Sequence, residues 1–187
     1  MTLTRRAFIV GAPCALAACS AEYVWAPDDV VKAATYRNPG ASVLRLYTVR
    51  NSGSDNGAHT ALMIDASERV LFDPAGSFKA QGVPERNDVL HGFSPVAETA
   101  YRSFHARSDF YIAWQTVAVP PAVAEQALVL AKANGAVPKA NCTRATSSIL
   151  KQLPGFESLR TTWFPNNLQD AFANIPGVVT EELREFD

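Results

Sequence analysis

Residues 59–76 read HTALMIDASERVLFDPAG, and the reading of this stretch organises the rest of the chain. Leu62, Met63 and Ile64 form the apolar centre of a predicted strand over 59–65. Ala66, Ser67 and Glu68 turn the chain, and Arg69-Val70-Leu71-Phe72 runs back, giving a tight antiparallel hairpin. Asp73-Pro74-Ala75-Gly76-Ser77 ends the return strand, because proline removes a backbone donor and glycine relaxes the backbone. Strands joined by a short turn hold their outer ends side by side, so Asp73 is expected next to His59. An acid in that position fixes the tautomer of an imidazole and stabilises its protonated form.

Outward from the hairpin the chain alternates strand and helix patterns. Over 43–49, Val43, Arg45, Tyr47 and Val49 alternate with Leu44, Leu46 and Thr48, which predicts a strand near a sheet edge. Asn51-Ser52-Gly53-Ser54-Asp55-Asn56-Gly57 is a turn-forming loop leading into His59. Residues 78–93 are polar and irregular and read as a long surface loop. Ser94-Pro95 opens a helix to about 106, with Ala97, Tyr101 and Phe104 on one face. A strand over 110–119 is stopped by Pro120-Pro121. A helix over 122–134 buries Val123, Ala127 and Leu130 or Ala131 and is closed by Gly135. A further helix over 142–153 buries Ile149, Leu150 and Leu153. Trp163-Phe164-Pro165 and a short helix over 167–174 precede an acidic end. The pattern is α+β, a small antiparallel sheet packed against helices.

The composition agrees with one globular domain. The chain has 187 residues, 48% hydrophobic and 19% charged, which excludes disordered, collagenous and coiled-coil classes. A formal charge of −1 offers no field for a polyanion, so nucleic acid is not an expected partner.

The first residues read as an address. Arg5 and Arg6 precede an uncharged run over 7–18, too short for a membrane span and interrupted by Pro13, as in a signal peptide. Thr4-Arg5-Arg6-Ala7-Phe8-Ile9 resembles a twin-arginine export motif. Leu16-Ala17-Ala18-Cys19 resembles a bacterial lipobox, which implies cleavage before Cys19 and lipidation there. Several acyl chains on Cys19 anchor a protein stably in a membrane, and Ser20 resembles a residue that favours sorting to an outer membrane. The expected plan is a signal peptide over 1–18, a lipidated tether and lead-in over 19–42, one domain over 43–177 and an acidic tail over 178–187.

Cysteine usage then becomes informative. Cys14 leaves with the signal peptide and Cys19 carries lipid, so Cys142 is the single free thiol of an exported chain and no disulfide scaffold is expected. Asn141 is a favoured N-cap residue, which places Cys142 in a first helical turn, where unpaired amides and aligned peptide dipoles favour a thiolate. Ala145 and Thr146 on the next turn are small enough to leave that helix end approachable. Of three histidines, His59 has a partner acid at a strand end, whereas His91 and His105 show no comparable pairing. Scattered histidines and the lack of an acid cluster give no reason to expect a metal or other cofactor. Trp114, Trp163, Phe164 and Phe110 either line a groove or fill a core.

The three segments His59-Thr60-Ala61-Leu62-Met63-Ile64, Arg69-Val70-Leu71-Phe72-Asp73-Pro74-Ala75-Gly76 and Asn141-Cys142 resemble circularly permuted papain-like enzymes, the permuted NlpC-type group related to lecithin:retinol acyltransferase. In that group the histidine strand precedes the cysteine helix, as His59 precedes Cys142 here. The resemblance implies a permuted papain-like fold with Cys142 as nucleophile, His59 as base and Asp73 as orienting acid; Leu71 occupies the shorter spacing for the third position. It also implies acyl transfer through a thioester, with the Cys142 backbone N–H as oxyanion donor, and a peptidoglycan or lipid substrate. The expectation is an exported, lipid-anchored cysteine hydrolase or amidase of the bacterial cell envelope. The alternative is a non-catalytic envelope lipoprotein that binds wall fragments or a protein partner. A Cys142 sulfur exposed and within reach of His59 favours the first, and a buried thiol facing Ile149 and Leu150 with His59 turned away favours the second.

Overall fold

The hairpin forms β2 (Gly57–Asp65) and β3 (Arg69–Phe72), paired from Leu62 opposite Phe72 to Asp65 opposite Arg69. This computed structural model describes residues 21–185, so Arg5, Arg6, Cys14 and Cys19 of the export and lipidation reading lie outside the described residues. Among the described residues the architecture is α+β. The remaining strands are β1 (Val43–Asn51), β4 (Glu85–Arg86), β5 (Val89–His91), β6 (Phe110–Ala118) and β7 (Val179–Leu183). They form one antiparallel sheet in the order β4-β5-β3-β2-β1-β6-β7. The helices are α1 (Asp28–Ala34), α2 (Pro95–His105), α3 (Pro121–Ala133), α4 (Cys142–Leu150) and α5 (Pro165–Ala173).

Both faces of the sheet are covered. Successive side chains on a strand point to opposite faces. Leu44, Leu46, Leu62, Ile64, Val70 and Phe72 therefore share one core with residues of α3, α4 and α5. Tyr47, Val49, Ala61, Met63 and Leu71 share the other with Ala97 and Tyr101 of α2. This explains why β1 is a central strand and not the edge strand its alternation suggested: β2 pairs on one side and β6 on the other. Arg45, the charge in that alternation, is neutralised from α2. Glu98 forms ion pairs with Arg45 and Arg69 and accepts a hydrogen bond from the Tyr47 hydroxyl at 2.6 Å.

Three further differences from the expected elements have local causes. Residues 78–93 are not a plain surface loop: they contribute β4 and β5 and bury Phe78, Leu90 and Phe93. On α2, Phe104 is exposed and Glu98 is buried in its stead, because the ionic cluster draws Glu98 to the sheet. The acidic end supplies β7, an element without a sequence signature, whose Glu181 accepts a hydrogen bond from Trp114 Nε1 at 2.8 Å. Trp114 is thereby core and not groove. The segment before β1 also packs on the sheet, with Trp25 bridged to Arg86 at β4 and Ala26 N–H donating to Glu85 O at 3.0 Å.

Candidate active site

At one end of the sheet, His59 of β2 and Asp73, the residue after β3, lie side by side. His59 Nε2 donates to Asp73 Oδ1 at 2.7 Å. Two backbone features aim these side chains. The register of β1 against β2 slips between Val49, opposite His59, and Arg50, opposite Gly57, leaving Ala58 as an extra residue. Such a bulge bends a strand and re-aims the next side chain. Beyond β3, Asp73 O accepts from Gly76 N at 2.9 Å to close a tight turn in which Ala75 adopts φ 57. A Cβ at position 76 would collide with the Asp73 carboxylate, so the turn has room only for glycine.

Cys142 enters from the other layer as the first residue of α4. Thr60, whose side chain faces α4, pairs its hydroxyl with that of Thr143 at 3.0 Å, a buried link that pins α4 to β2 beside the thiol. Asn141 occupies the N-cap position, but its side chain caps nothing among the described residues. Its Nδ2 donates back to Lys139 O at 3.1 Å across a turn in which Ala140 takes φ 64. The first-turn amides of α4 are therefore left without a capping side chain, which strengthens the positive end of the helix at Cys142.

The electrostatics follow from this packing. Burial alone would lower the pKa of His59, but the charge and hydrogen bond of Asp73, then those of Cys142, raise it to about 10. Burial would raise the pKa of the Cys142 thiol. The hydrogen bond and charge of His59, helped by the Thr60 backbone N–H and the Thr143 hydroxyl, hold it below the ordinary thiol value. With Nε2 committed to Asp73, Nδ1 is the imidazole nitrogen left for the thiol. Each group thus favours the charged form of the other. Cys142 is only 8% exposed, yet it meets His59 and does not face away from it.

Two residues join this site that sequence reasoning left elsewhere. Tyr101 Oη donates to Asp73 Oδ1 at 3.0 Å. His105 stacks on His59 with ring centroids 5.8 Å apart and planes at 23°. Both sit on α2, and with Glu98 they share one face at helical spacing (98, 101, 105), so the residue that anchors α2 to β1 also aligns the other two. That spacing was the available signal; their partners depend on how α2 docks. Burial and the charge of His59 lower the pKa of His105 to about 4, and its Nε2 is buried with no partner among the described residues. His91, expected to lack an acidic partner, pairs with Glu68 at 3.1 Å on the far side of the sheet.

Asp88 ties together the two loops that carry the site. Its carbonyl accepts from Asp73 N–H at 2.8 Å, and its Oδ2 accepts from Val137 N–H, in the loop before Cys142, at 2.7 Å. Burial raises its pKa to about 6, against the hydrogen bonds from Val137 and Ala75. Trp163 and Phe164 are exposed, with Arg144 of α4 stacked 5.3 Å from the Trp163 ring. An open groove of about 690 Å³ between α1 and residues 80–84 is lined mainly by apolar side chains and holds none of these groups.

No protein-family model matches the chain, and no curated protein or solved structure matches it.

Proposed function

We propose that the protein is a cysteine hydrolase or amidase that transfers an acyl group through a thioester on Cys142. The observation that carries this reading is the connected set Cys142–His59–Asp73, assembled from three separate segments, with the thiol pKa held down and the imidazole pKa held up. Nucleophile, base and orienting acid in hydrogen-bonded sequence are the requirements of covalent acyl transfer. The order of histidine strand before cysteine helix supports a permuted papain-like fold.

In the proposed reaction the Cys142 thiolate attacks the carbonyl carbon of an amide or ester. The C–S bond forms, and negative charge develops on the carbonyl oxygen, to which the Cys142 backbone N–H at the uncapped start of α4 donates a hydrogen bond. The tetrahedral species collapses with cleavage of the C–N or C–O bond, and the leaving atom takes the proton from His59. Water then attacks the thioester, gives its proton to His59 and expels the thiolate, restoring the initial pair. Asp73 holds the imidazole in place through both halves.

The lipobox and twin-arginine resemblances extend the proposal to an exported protein anchored through lipid on Cys19 in the bacterial envelope, where peptidoglycan and lipid both lie within reach. A second reading, a non-catalytic lipoprotein that binds wall fragments or a protein partner, is favoured by one observation, the 8% exposure of Cys142. Incubation with p-nitrophenyl acetate separates the two. The hydrolase reading predicts a burst of p-nitrophenol and an acetyl adduct on the Cys142 peptide, absent in Cys142→Ala and slowed in His59→Ala. Lack of any adduct, with the fold intact, supports the binding lipoprotein.

A further inference from the structure

A cavity of about 250 Å³ opens on His59 and not on Cys142. Its walls are mainly apolar, formed by Val49, Phe104 and Phe110, with His105, whose Nε2 has no partner among the described residues, beside His59. Phe104 and Phe110 are 45% and 36% exposed at its mouth. Phe104 is not loose there: its ring meets His105 edge-on at 5.0 Å and Phe78 at 5.5 Å. The lining also includes Arg107, whose guanidinium is held by Glu185 at 2.8 Å.

Resting on the thioester reading, we infer that this cavity is the leaving-group and acceptor subsite, and that it selects a compact, uncharged aromatic alcohol or amine. The first argument is positional. His59 must hand its proton to the departing oxygen or nitrogen, and later take one from the incoming nucleophile. That atom therefore lies within about 2.6–3.2 Å of the imidazole, and its substituent extends into the space the imidazole borders. The second argument is chemical. A cationic leaving group meets the His59 imidazolium in the first half of the reaction. The Arg107 charge at the rim is already shared with Glu185 through Nη1, which weakens its pull on a carboxylate. An uncharged ring meets Phe104 and Phe110 in the edge-to-face and offset arrangements aromatic pairs prefer. His105, held neutral by burial and by the charge of His59, presents an imidazole and not a second cation. The third argument is size. Pockets for drug-sized ligands begin at roughly 300 Å³, so this one takes a single ring and its linker.

Acyl partitioning in the full chain tests the assignment. p-Nitrophenyl acetate acetylates Cys142 and releases p-nitrophenol. The acetyl thioester is then offered O-benzylhydroxylamine or aminooxyacetate, which share one nucleophilic group and differ in the substituent. In each transfer the N–C bond forms, the C–S bond breaks, and the amine proton passes to His59, leaving the thiolate. Capture is counted after subtracting the reaction with Cys142→Ala. The benzyl acceptor is expected to win by about tenfold, the scale of discrimination an apolar pocket supplies. Ala58→Trp, which fills the cavity from the bulge of β2, is expected to bring the ratio towards one, and Phe110→Ala, which removes an exposed wall, to lower it. Equal capture by the two acceptors, preference for aminooxyacetate, or a ratio unmoved by both variants overturns the subsite while the acetyl adduct leaves the thioester reading standing. No adduct on Cys142 overturns both.

Discussion

Tyr101 Oη lies 3.0 Å from Asp73 Oδ1, the same oxygen that accepts from His59 Nε2 at 2.7 Å. One carboxylate oxygen thus receives two donors from two layers, one from β2 and one from α2. Tyr101 is fully buried, and burial together with the Asp73 charge raises its pKa well above the ordinary phenol value, so it remains a donor at every working pH. We read Tyr101 as a positioning residue that fixes the carboxylate from the side opposite the imidazole.

Tyr101→Phe removes only that hydroxyl. A hydrogen bond to a charged group contributes about 1.5–3 kcal/mol, so Cys142 acylation at neutral pH is expected to slow by about tenfold or more. The acid limb of the Cys142 alkylation profile is expected to move to higher pH as His59 loses its fixed partner. A purely structural role for Tyr101 lowers the melting temperature and leaves that limb in place.

Gly76→Ala pushes a methyl group into the Asp73 carboxylate. Relief requires Asp73 to swing off His59 or the turn to open, and overpacking of this kind costs about 1–3 kcal/mol. The expected outcome is a lower melting temperature together with a raised apparent pKa of Cys142, measured by thermal unfolding and alkylation. Ser77, next along and exposed, is expected to accept alanine with neither change.

His105 and Asp88 pull the stability–pH curve in opposite directions. His105 has a folded pKa of about 4 against 6.5 for a free imidazole, so between these values the unfolded chain binds the extra proton and stability falls as pH falls. Asp88 has a folded pKa of about 6 against 3.8, so across that range the folded chain binds the extra proton and stability rises as pH falls. His105→Phe keeps an aromatic ring against His59. Relative to the parent it is expected to gain stability steadily from pH 6.5 to 4. Asp88→Asn is expected to lose ground relative to the parent over pH 6 to 4. Denaturant melts at a series of pH values read both differences, which are on the order of 1–3 kcal/mol by linkage. Parallel curves for parent and variants contradict these assignments.

His59 carries its own pH signature. Its pKa is raised on folding, so its contribution is complete below 6.5 and is lost as pH rises towards about 10. His59→Ala is therefore expected to flatten the alkaline fall in stability while slowing acylation. A fall of equal slope in the variant assigns the alkaline loss to other groups.

The α+β class and the 59–76 hairpin were legible because they rest on local rules, apolar runs, turn residues and proline stops. The neighbouring ends of β2 and β3 follow from hairpin geometry alone, which is why His59 and Asp73 could be paired on paper. The bulge at Ala58, the Tyr101 hydroxyl on Asp73 and the His105 stack were not legible, since each depends on where a distant element docks. β7 was hidden for a different reason. Its residues Val179-Thr180-Glu181-Glu182-Leu183 lack an apolar face, and β6 recruits them by edge pairing and a Trp114–Glu181 hydrogen bond. Asn141 carried the right local signal for a cap, but the turn at Ala140 redirects its side chain to Lys139.

The most direct measurement is the pH dependence of Cys142 alkylation by iodoacetamide, followed on the Cys142 peptide in the parent and in His59→Ala. Thiolate reactivity that persists well below the free-cysteine pKa of about 8.5, and that retreats to higher pH in the variant, is the expected result for a coupled thiolate–imidazolium pair. An ordinary or raised pKa, unchanged by loss of His59, contradicts Cys142 as the nucleophile.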